Sequence, residues 1–548
     1  MESLGRVGNA VVSIIPAAGV EESRPTAYDL ADPSVIHGWT RQGGETLLRS
    51  MLALGLVLLA ALLCQAALPV YDDALFFRRF AIHLIDHGVW GWNAADGPVH
   101  GNTSQLWQLV ALGLTAVARD WTILTGRLVL ASCIMLSGWL LMRRYPESRP
   151  IVVLGLVSPV ALATVVSGME TATTLALGAA LVAMPRAGGL LTVLLYLARP
   201  DTLLMSVPTL VLRRQWAALV GSGAVLLGFL GIFHGFYGSA FPLSFSVKMG
   251  LSGLYDAHFL ELSAEAGRRH LLFFSLLSAP LVALGWRSRL MLPAAVFFAF
   301  HALATVDVMG LHGRFYAPCI PWLVAAAAQG WSKSRRGGLW MWVVWAITVG
   351  VSIQQGLLPG AKGWSIGQVS LWTYAAYVLA AGAMLWRGRW AAHVQHRGAA
   401  LVIIGIVASN PSLPSQSLSD SASVARLRDL VTSWRGLERA ADCLGAELHV
   451  YHSEIGVPGY YFARVTDLGG LMNKEAHQGV RFEEMCLRDR PELLFMPHRN
   501  YKELNAEIRR GACLRDYKRV IKRSSSPMFV RRDLVQEYRS SPQCSQED

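Results

Sequence analysis

The chain has 548 residues, 53% hydrophobic and only 16% charged, with a mean hydropathy of +0.37; soluble proteins carry about 25% charged residues, so a wholly soluble chain is excluded. The formal net charge of +12 does not point to nucleic acid, because the cations lie in short clusters between apolar runs and not along one face of a soluble fold. Charge is scarce from Thr46 to Val407 and abundant after Asp420. This pattern predicts a polytopic α-helical membrane protein with a C-terminal soluble α/β domain.

In chain order, residues 1–45 read as a disordered cytoplasmic N-terminus, polar and without a hydrophobic period. No cleaved leader is expected, since the first apolar run begins near Leu47. Residues 46–408 form the expected membrane domain, with apolar runs at 47–68, 104–118, 123–142, 151–166, 170–184, 190–212, 216–233, 271–286, 291–306, 316–331, 339–353, 369–386 and 398–408. A span needs roughly 20 residues, so these predict about ten to thirteen helices, not all of them complete crossings. Arg143-Arg144, Arg186, Arg213-Arg214, Arg287 with Arg289, Lys333 to Arg336, and Arg387 to Arg397 then mark the cytoplasmic side of the inner (plasma) membrane.

That orientation puts a first external loop at 69–103, and puts 167–170, 234–270, 307–315, 354–368 and the tail outside. Two places strain it. Two apolar runs lie between Asn102 and Arg143 where an odd number of crossings is required, so one is expected to be re-entrant. The run 190–212 is interrupted by Ala198-Arg199-Pro200-Asp201, which predicts a broken helix. Residues 409–420 are the linker and 421–548 the extracytoplasmic α/β domain. Its expected helices are Val424–Leu444, Lys474–Leu487 and Lys502–Ile508, and its expected strands Glu447–Tyr451, Leu493–Met496, Val520-Ile521 and Met528–Val530. Cys64, Cys133 and Cys319 read as core residues. Cys443, Cys486, Cys513 and Cys544 lack metal-ligand spacing, and one or two disulfides of undetermined pairing are expected there if the tail is outside.

Five segments carry candidate chemistry. In Tyr71–Trp107, Asp72 and Asp73 precede an amphipathic stretch whose apolar side is expected to be Leu75, Phe76, Phe80, Ile82 and Leu84-Ile85, lying at the membrane interface. Paired carboxylates suit general-base work, because each charge raises the other's pKa; the plainer reading is an exposed helix cap. In Ser167–Thr174, Glu170 is an ionisable group at the bilayer edge, set against the reading of a helix N-terminal carboxylate. Phe233–Gly250 holds Tyr237 and Lys248, which equally suit an aromatic belt with a snorkelling lysine. Asp307–Trp322 holds His312 and Arg314. Arg314 lies on the side that should be poor in cations, which favours a bidentate grip on a phosphate. His452–His477 has glycine-rich turns, two tyrosines and Asp467, without a complete phosphate-loop pattern.

Taken together these segments resemble the GT-C superfamily of polyprenyl-phosphate-sugar glycosyltransferases, and within it the mycobacterial-type terminal arabinofuranosyltransferases. The resemblance rests on Asp72-Asp73-Ala74, Gly101-Asn102-Thr103-Ser104-Gln105-Leu106-Trp107, Gly168-Met169-Glu170-Thr171, Arg199-Pro200-Asp201, Tyr237-Gly238 with Pro242 and Lys248, Arg314-Phe315 with Pro318, and Ile455 to Leu471, in order over most of Tyr71–Leu471. The chain departs from the family pattern in Leu-Phe-Phe-Arg after Ala74 and in Asp96-Gly97-Pro98-Val99-His100 before Gly101.

The resemblance implies a sugar, arabinofuranose as the best guess, moved from a polyprenyl-phosphate donor to a cell-envelope glycan or glycoprotein acceptor. It implies Asp72 or Asp73 as the base, and Arg78, Asn102, Thr103, Glu170, Tyr237, Lys248, His312 and Arg314 as substrate-binding residues. No cofactor is implied, the lipid-linked sugar being a substrate; a divalent metal is left open. Membrane lipid is the surrounding partner, and no nucleic acid is expected. The competing readings are a transporter or lipid flippase, which would place polar residues deep in repeated halves, and a non-enzymatic envelope scaffold.

Overall fold

The computed structural model describes residues 41–65, 74–119, 123–166, 168–248, 271–304, 314–333, 437–497, 501–521 and 527–540, with short gaps within 271–304 and 437–497. Of residues 1–46, the described part is the start of the first helix. The expectations at Asp72, Asp73, His312, the linker and the runs 339–353, 369–386 and 398–408 lie outside the described residues.

The described helices are α1 (Arg41–Gln65), α2 (Ala74–His87), α3 (Gln105–Val117), α4 (Ile123–Arg144), α5 (Arg149–Leu156), α6 (Pro159–Val166), α7 (Thr171–Ala183), α8 (Gly188–Ala198), α9 (Leu203–Leu212), α10 (Trp216–Tyr237), α11 (Leu243–Lys248), α12 (Met291–Ala304) and α13 (Ile320–Lys333). Among the described residues two stretches, Thr125–Arg144 and Trp216–Tyr237, are long and apolar enough to cross a bilayer. The pair Thr171–Ala183 and Pro185–Ala198 is bent by 115°, as a broken span or a re-entrant loop would be. With 13 residues, α3 reaches only about 20 Å, short of the roughly 30 Å hydrocarbon core.

The helices end where local chemistry ends them. The apolar run 151–166 is two helices and not one: Pro159 disfavours helix at Ser158, whose Oγ takes the Ala161 N–H at 3.4 Å. The run 190–212 breaks where the sequence predicts it. Arg199 is extended (φ −161°) between α8 and the turn Pro200–Thr202 that opens α9. At the bundle centre α13 is buried from Ile320 to Ala328. Trp322 presses on α7 at Gly178, where a Cβ would stand 2.7 Å from the indole, and its Nε1 donates to Thr209 Oγ1 of α9 at 2.8 Å.

The bundle has two distinct ends. Arg213 donates to Leu181 O and Val182 O at 2.6 and 2.9 Å, Gln215 to Pro185 O at 2.9 Å, Ser148 to Ala328 O at 2.9 Å and Ser288 to Gln329 Oε1 at 2.7 Å. One end therefore gathers the ends of α4, α7, α9 and α13 with the turn before α12, and with them Arg143, Arg144, Arg186, Arg213, Arg214, Arg287 and Arg289. The N-termini of α7, α9 and α13 and the C-termini of α8, α10 and α12 form the opposite end.

The C-terminal part is an α/β layer structure. Its strands are β1 (His449–His452), β2 (Arg464–Asp467), β3 (Leu493–Phe495), β4 (Tyr517–Ile521) and β5 (Met528–Arg531), in the order β2-β1-β3-β5-β4. β1 pairs parallel with β2 and β3, and β5 antiparallel with β3 and β4. Helices α14 (Pro458–Tyr461), α15 (Lys474–His477), α16 (Phe482–Asp489), α17 (Lys502–Arg510) and α18 (Val535–Ser540) connect them. The single helix expected at 474–487 is two, separated at Gly479 (φ +82°). β2 was not expected from the sequence. Cys486 and Cys513 form a disulfide between α16 and the turn before β4.

One face of the sheet shares its core with α2 and the loop between α2 and α3: Phe76, Phe80, Trp92 and Val99 pack with Val450, Phe462, Val465 and Phe495. The β2 edge is closed by the same loop, since Asn93 accepts from Val465 N and donates to Val465 O, both at 3.0 Å, and Trp92 Nε1 donates to that carbonyl at 2.8 Å. Arg79 fastens the joint. Its Nε donates to Trp92 O at 2.6 Å, Nη1 to Gly459 O and Phe462 O at 2.7 and 2.6 Å, and Nη2 to Asn93 Oδ1 and Ala463 O at 2.8 and 2.7 Å. The expected apolar side of α2 is thereby corrected. Arg79 and His83 are buried and Ile85 is exposed, because the soluble domain and the 90–96 loop cover that face. Burial pulls the Arg79 guanidinium down to about 9, opposed by Asp96, so it stays charged at neutral pH. An Arg79→Met substitution takes the donor from four backbone carbonyls, while Asn93 Oδ1 keeps Val465 N, and is expected to cost at least about 3 kcal/mol. Limited proteolysis should then release the C-terminal domain from the membrane fraction at protease concentrations that leave wild type intact.

Candidate functional site

The end of the bundle opposite the arginine clusters carries a buried polar constellation in otherwise apolar surroundings. Gly168 (φ +71°) makes the turn that brings Glu170 to the start of α7. The carboxylate makes no cap bond to the helix; it is 6% exposed, and Oε2 is buried without a hydrogen-bond partner among the described residues. Its charge acts on Arg199 at the α8–α9 break. Arg199 in turn grips Asp201 with two bonds, Nε to Oδ1 at 3.2 Å and Nη2 to Oδ2 at 2.5 Å. His301, near the end of α12, reaches the same Oδ2 from Nε2 at 3.0 Å.

The ring of Phe315, in the turn before α13, holds these groups together. His301 stacks on it with centroids 5.9 Å apart and planes 12° apart, Arg199 lies 5.6 Å from its centroid, and Arg314 lies 5.3 Å from it. Arg314 is 4% exposed. Arginine over an aromatic face is attracted by the ring quadrupole, so one phenyl ring orders two guanidinium groups beside a buried carboxylate. Such a set can grip an anion with the guanidinium groups and a hydroxyl with Glu170.

The remaining expected site residues occupy a second layer, at the seam with the soluble domain. Asn102 is buried and donates to Gln108 Oε1 at 2.7 Å, while Gln108 donates to Phe77 O of α2 at 2.8 Å. Ser104 caps α3 by accepting from Trp107 N at 3.3 Å, and Thr103 beside it is half-buried. The Asn-Thr-Ser stretch thus ties α3 to α2. Arg78 is half-buried, donates to Arg119 O at 3.3 Å and lies 4.7 Å over the Tyr460 ring of α14. Tyr237 stacks on His100 with centroids 4.7 Å apart, and its carbonyl accepts from Lys474 at 3.2 Å. Burial takes the His100 imidazole down to about 4, so the ring is neutral. Lys248 closes α11, which the soluble domain holds through Ser246 Oγ and His477 Nε2 at 3.1 Å.

Sequence reasoning passed over His301, His100 and Lys474, which sit in an apolar run, a loop and a charged helix without a spacing signature. Asp467, at the end of β2, has an internal role: Oδ1 accepts from Gly469 N at 2.7 Å and Oδ2 from Met472 N at 2.8 Å, while burial pushes its carboxyl up to about 7. Among the described residues no three His, Cys, Asp or Glu side chains converge on a metal position.

No family model matches the chain, and no curated protein matches it significantly. Its fold does match solved structures. ArnT from Cupriavidus metallidurans in the apo state superposes with a TM-score of 0.55 at 13% identity, over 89% of this chain and 98% of that one. ArnT bound to undecaprenyl phosphate superposes with a TM-score of 0.52 at the same identity and coverage. ArnT is a GT-C glycosyltransferase. The fold of this chain is similar to that of ArnT. At this identity the likeness is one of fold.

Asp201 is the hinge of the constellation, and removing it leaves Arg199 and His301 facing each other in an apolar bundle. Asp201→Ala is expected to destabilise the protein by about 3–5 kcal/mol, read as a lowered thermal midpoint in detergent. Glu170→Gln, which keeps shape and removes charge, should leave that midpoint close to wild type.

Proposed function

We propose that this protein is a membrane glycosyltransferase that moves a sugar from a polyprenyl-phosphate donor to an acceptor on the extracytoplasmic side. The observation that carries the proposal is the polar constellation of Glu170, Arg199, Asp201, His301 and Arg314 at one end of the bundle, on a fold shared with an undecaprenyl-phosphate-bound glycosyltransferase. Ionisable groups buried in an apolar bundle are costly, and their retention argues for function. A transporter would need polar residues along the bundle and not at one end.

Two observations support the orientation. The opposite end gathers the arginine clusters, as the positive-inside rule requires of a cytoplasmic face. The Cys486–Cys513 disulfide belongs in an oxidising compartment. The sugar-handling end and the soluble domain then share the extracytoplasmic side.

In the mechanism we infer, Asp72 or Asp73 takes the proton of an acceptor hydroxyl. The oxygen attacks the anomeric carbon, a carbon–oxygen bond forms, and the bond to the polyprenyl phosphate breaks with its electrons going to the leaving phosphate. Arg314 and Lys248 stabilise that growing charge. Glu170 accepts a hydroxyl of the sugar at Oε2. Arabinofuranose is the sugar the sequence motifs favour, and an envelope glycan or glycoprotein the acceptor. His312 and Arg78 are assigned to substrate binding on the motifs.

The test is transfer of radiolabelled sugar from defined polyprenyl-phosphate donors, decaprenyl-phosphate arabinofuranose first, by purified protein in nanodiscs. Removing the base should lower the rate by about 100-fold or more, in either Asp72→Asn or Asp73→Asn. Glu170→Gln should lower kcat/KM at least about tenfold through one lost charge-assisted hydrogen bond. Wild-type rates in all of these variants would sink the site assignment, and no transfer from any polyprenyl-phosphate sugar would sink the function.

A further inference from the structure

The β4 edge of the C-terminal sheet carries a cavity that the proposed sugar-transfer mechanism does not use. This edge lies opposite the β2 edge that the 90–96 loop covers. From Arg509 to Arg539 the sequence holds ten cations (Arg509, Arg510, Arg515, Lys518, Arg519, Lys522, Arg523, Arg531, Arg532, Arg539) and three acids (Asp516, Asp533, Glu537). Three guanidinium groups of the domain have acidic partners: Arg531 has Glu492 and Asp533, Arg488 has Glu475 and Asp489, and Arg481 has Glu507.

Lys518, Arg532 and Arg539 differ. With Val535 and Gln536 they line a surface cavity of about 360 Å³. Among the described residues no carboxylate lies within ion-pair distance of any of the three, and none lines the cavity. Arg532 is held in place, its Nε donating to Arg515 O at 2.8 Å. Cations on an edge strand are often there to prevent edge-to-edge pairing, and that accounts for Lys518. It does not account for Arg532 and Arg539, which come from the turn after β5 and from α18 and converge with Lys518 on one concavity. Like charges around one cavity repel, and an anion that enters it relieves the repulsion. The volume exceeds what one orthophosphate fills, Gln536 adds a neutral hydrogen-bonding group, and Val535 is a buried apolar neighbour.

We propose that this cavity binds a phosphate-bearing polyanion from the aqueous phase. It is a second binding site, and its existence does not depend on the glycosyltransferase reading. The probe is inorganic tripolyphosphate, titrated calorimetrically into full-length protein in zwitterionic-lipid nanodiscs at low salt. Wild type should bind, with an affinity that falls as salt rises. Lys518→Gln/Arg539→Gln, which alters only exposed side chains, should bind at least about tenfold more weakly with an unchanged thermal midpoint. Failure of wild type to bind, or equal binding by the double variant, overturns the proposal. So does loss of wild-type binding when the lipid is made anionic, because the cavity would then be filled by headgroups and not from the aqueous phase.

Discussion

The Arg79 guanidinium sets the position of everything outside the helix bundle. It is 4% exposed and spends all its donors on five oxygens, three of them backbone carbonyls in the segment Gly459–Ala463. A cation in such a place is stable only if each donor is met, so the arrangement has little freedom. If the C-terminal domain shifts, the bonds break together. The same residue lies 4.5 Å over the Trp92 ring, and Trp92 also bonds to β2. Helix α2 serves two cores as a result: Phe77 packs into the bundle, Phe76 and Phe80 into the soluble domain. The soluble domain is built onto the membrane domain, and is more than a tail joined by a linker.

That constraint gives the polar end of the bundle its surroundings. Tyr237 and α11, at that end, are held from above by Lys474 and His477 of α15. Below them, Arg199, Asp201 and His301 satisfy one another, and Phe315 positions Arg314. Glu170 has an acceptor oxygen that no described residue fills. In the proposed mechanism that open buried acceptor takes a hydroxyl of the sugar.

Much of this was legible in the sequence where a local signal existed. The break at Arg199–Asp201 was visible because proline cannot continue a helix, and the α/β nature of the tail because helical and strand-like stretches alternate. Glu170 and Arg314 stood out as charges next to apolar runs. Other features had no local signal. Arg79 looked like one of two interspersed arginines, since its partners are carbonyls some 380 residues away. His301 was hidden in an apolar run until the bundle brought it to Asp201. β2 is four residues, beside the pair Gly469-Gly470, and read as a turn. The Cys486–Cys513 pairing follows from the contact of α16 with the turn before β4, which spacing does not encode.

The central claim is that a polyprenyl phosphate is handled at the polar end of the bundle, under the docked domain. Hydrogen–deuterium exchange of the nanodisc-embedded protein, with and without undecaprenyl phosphate, tests it most directly. The account predicts added protection in peptides covering 168–173 and 199–204, with no change at 184–189 or 213–218. Protection confined to the arginine-rich end, or none anywhere, would contradict it.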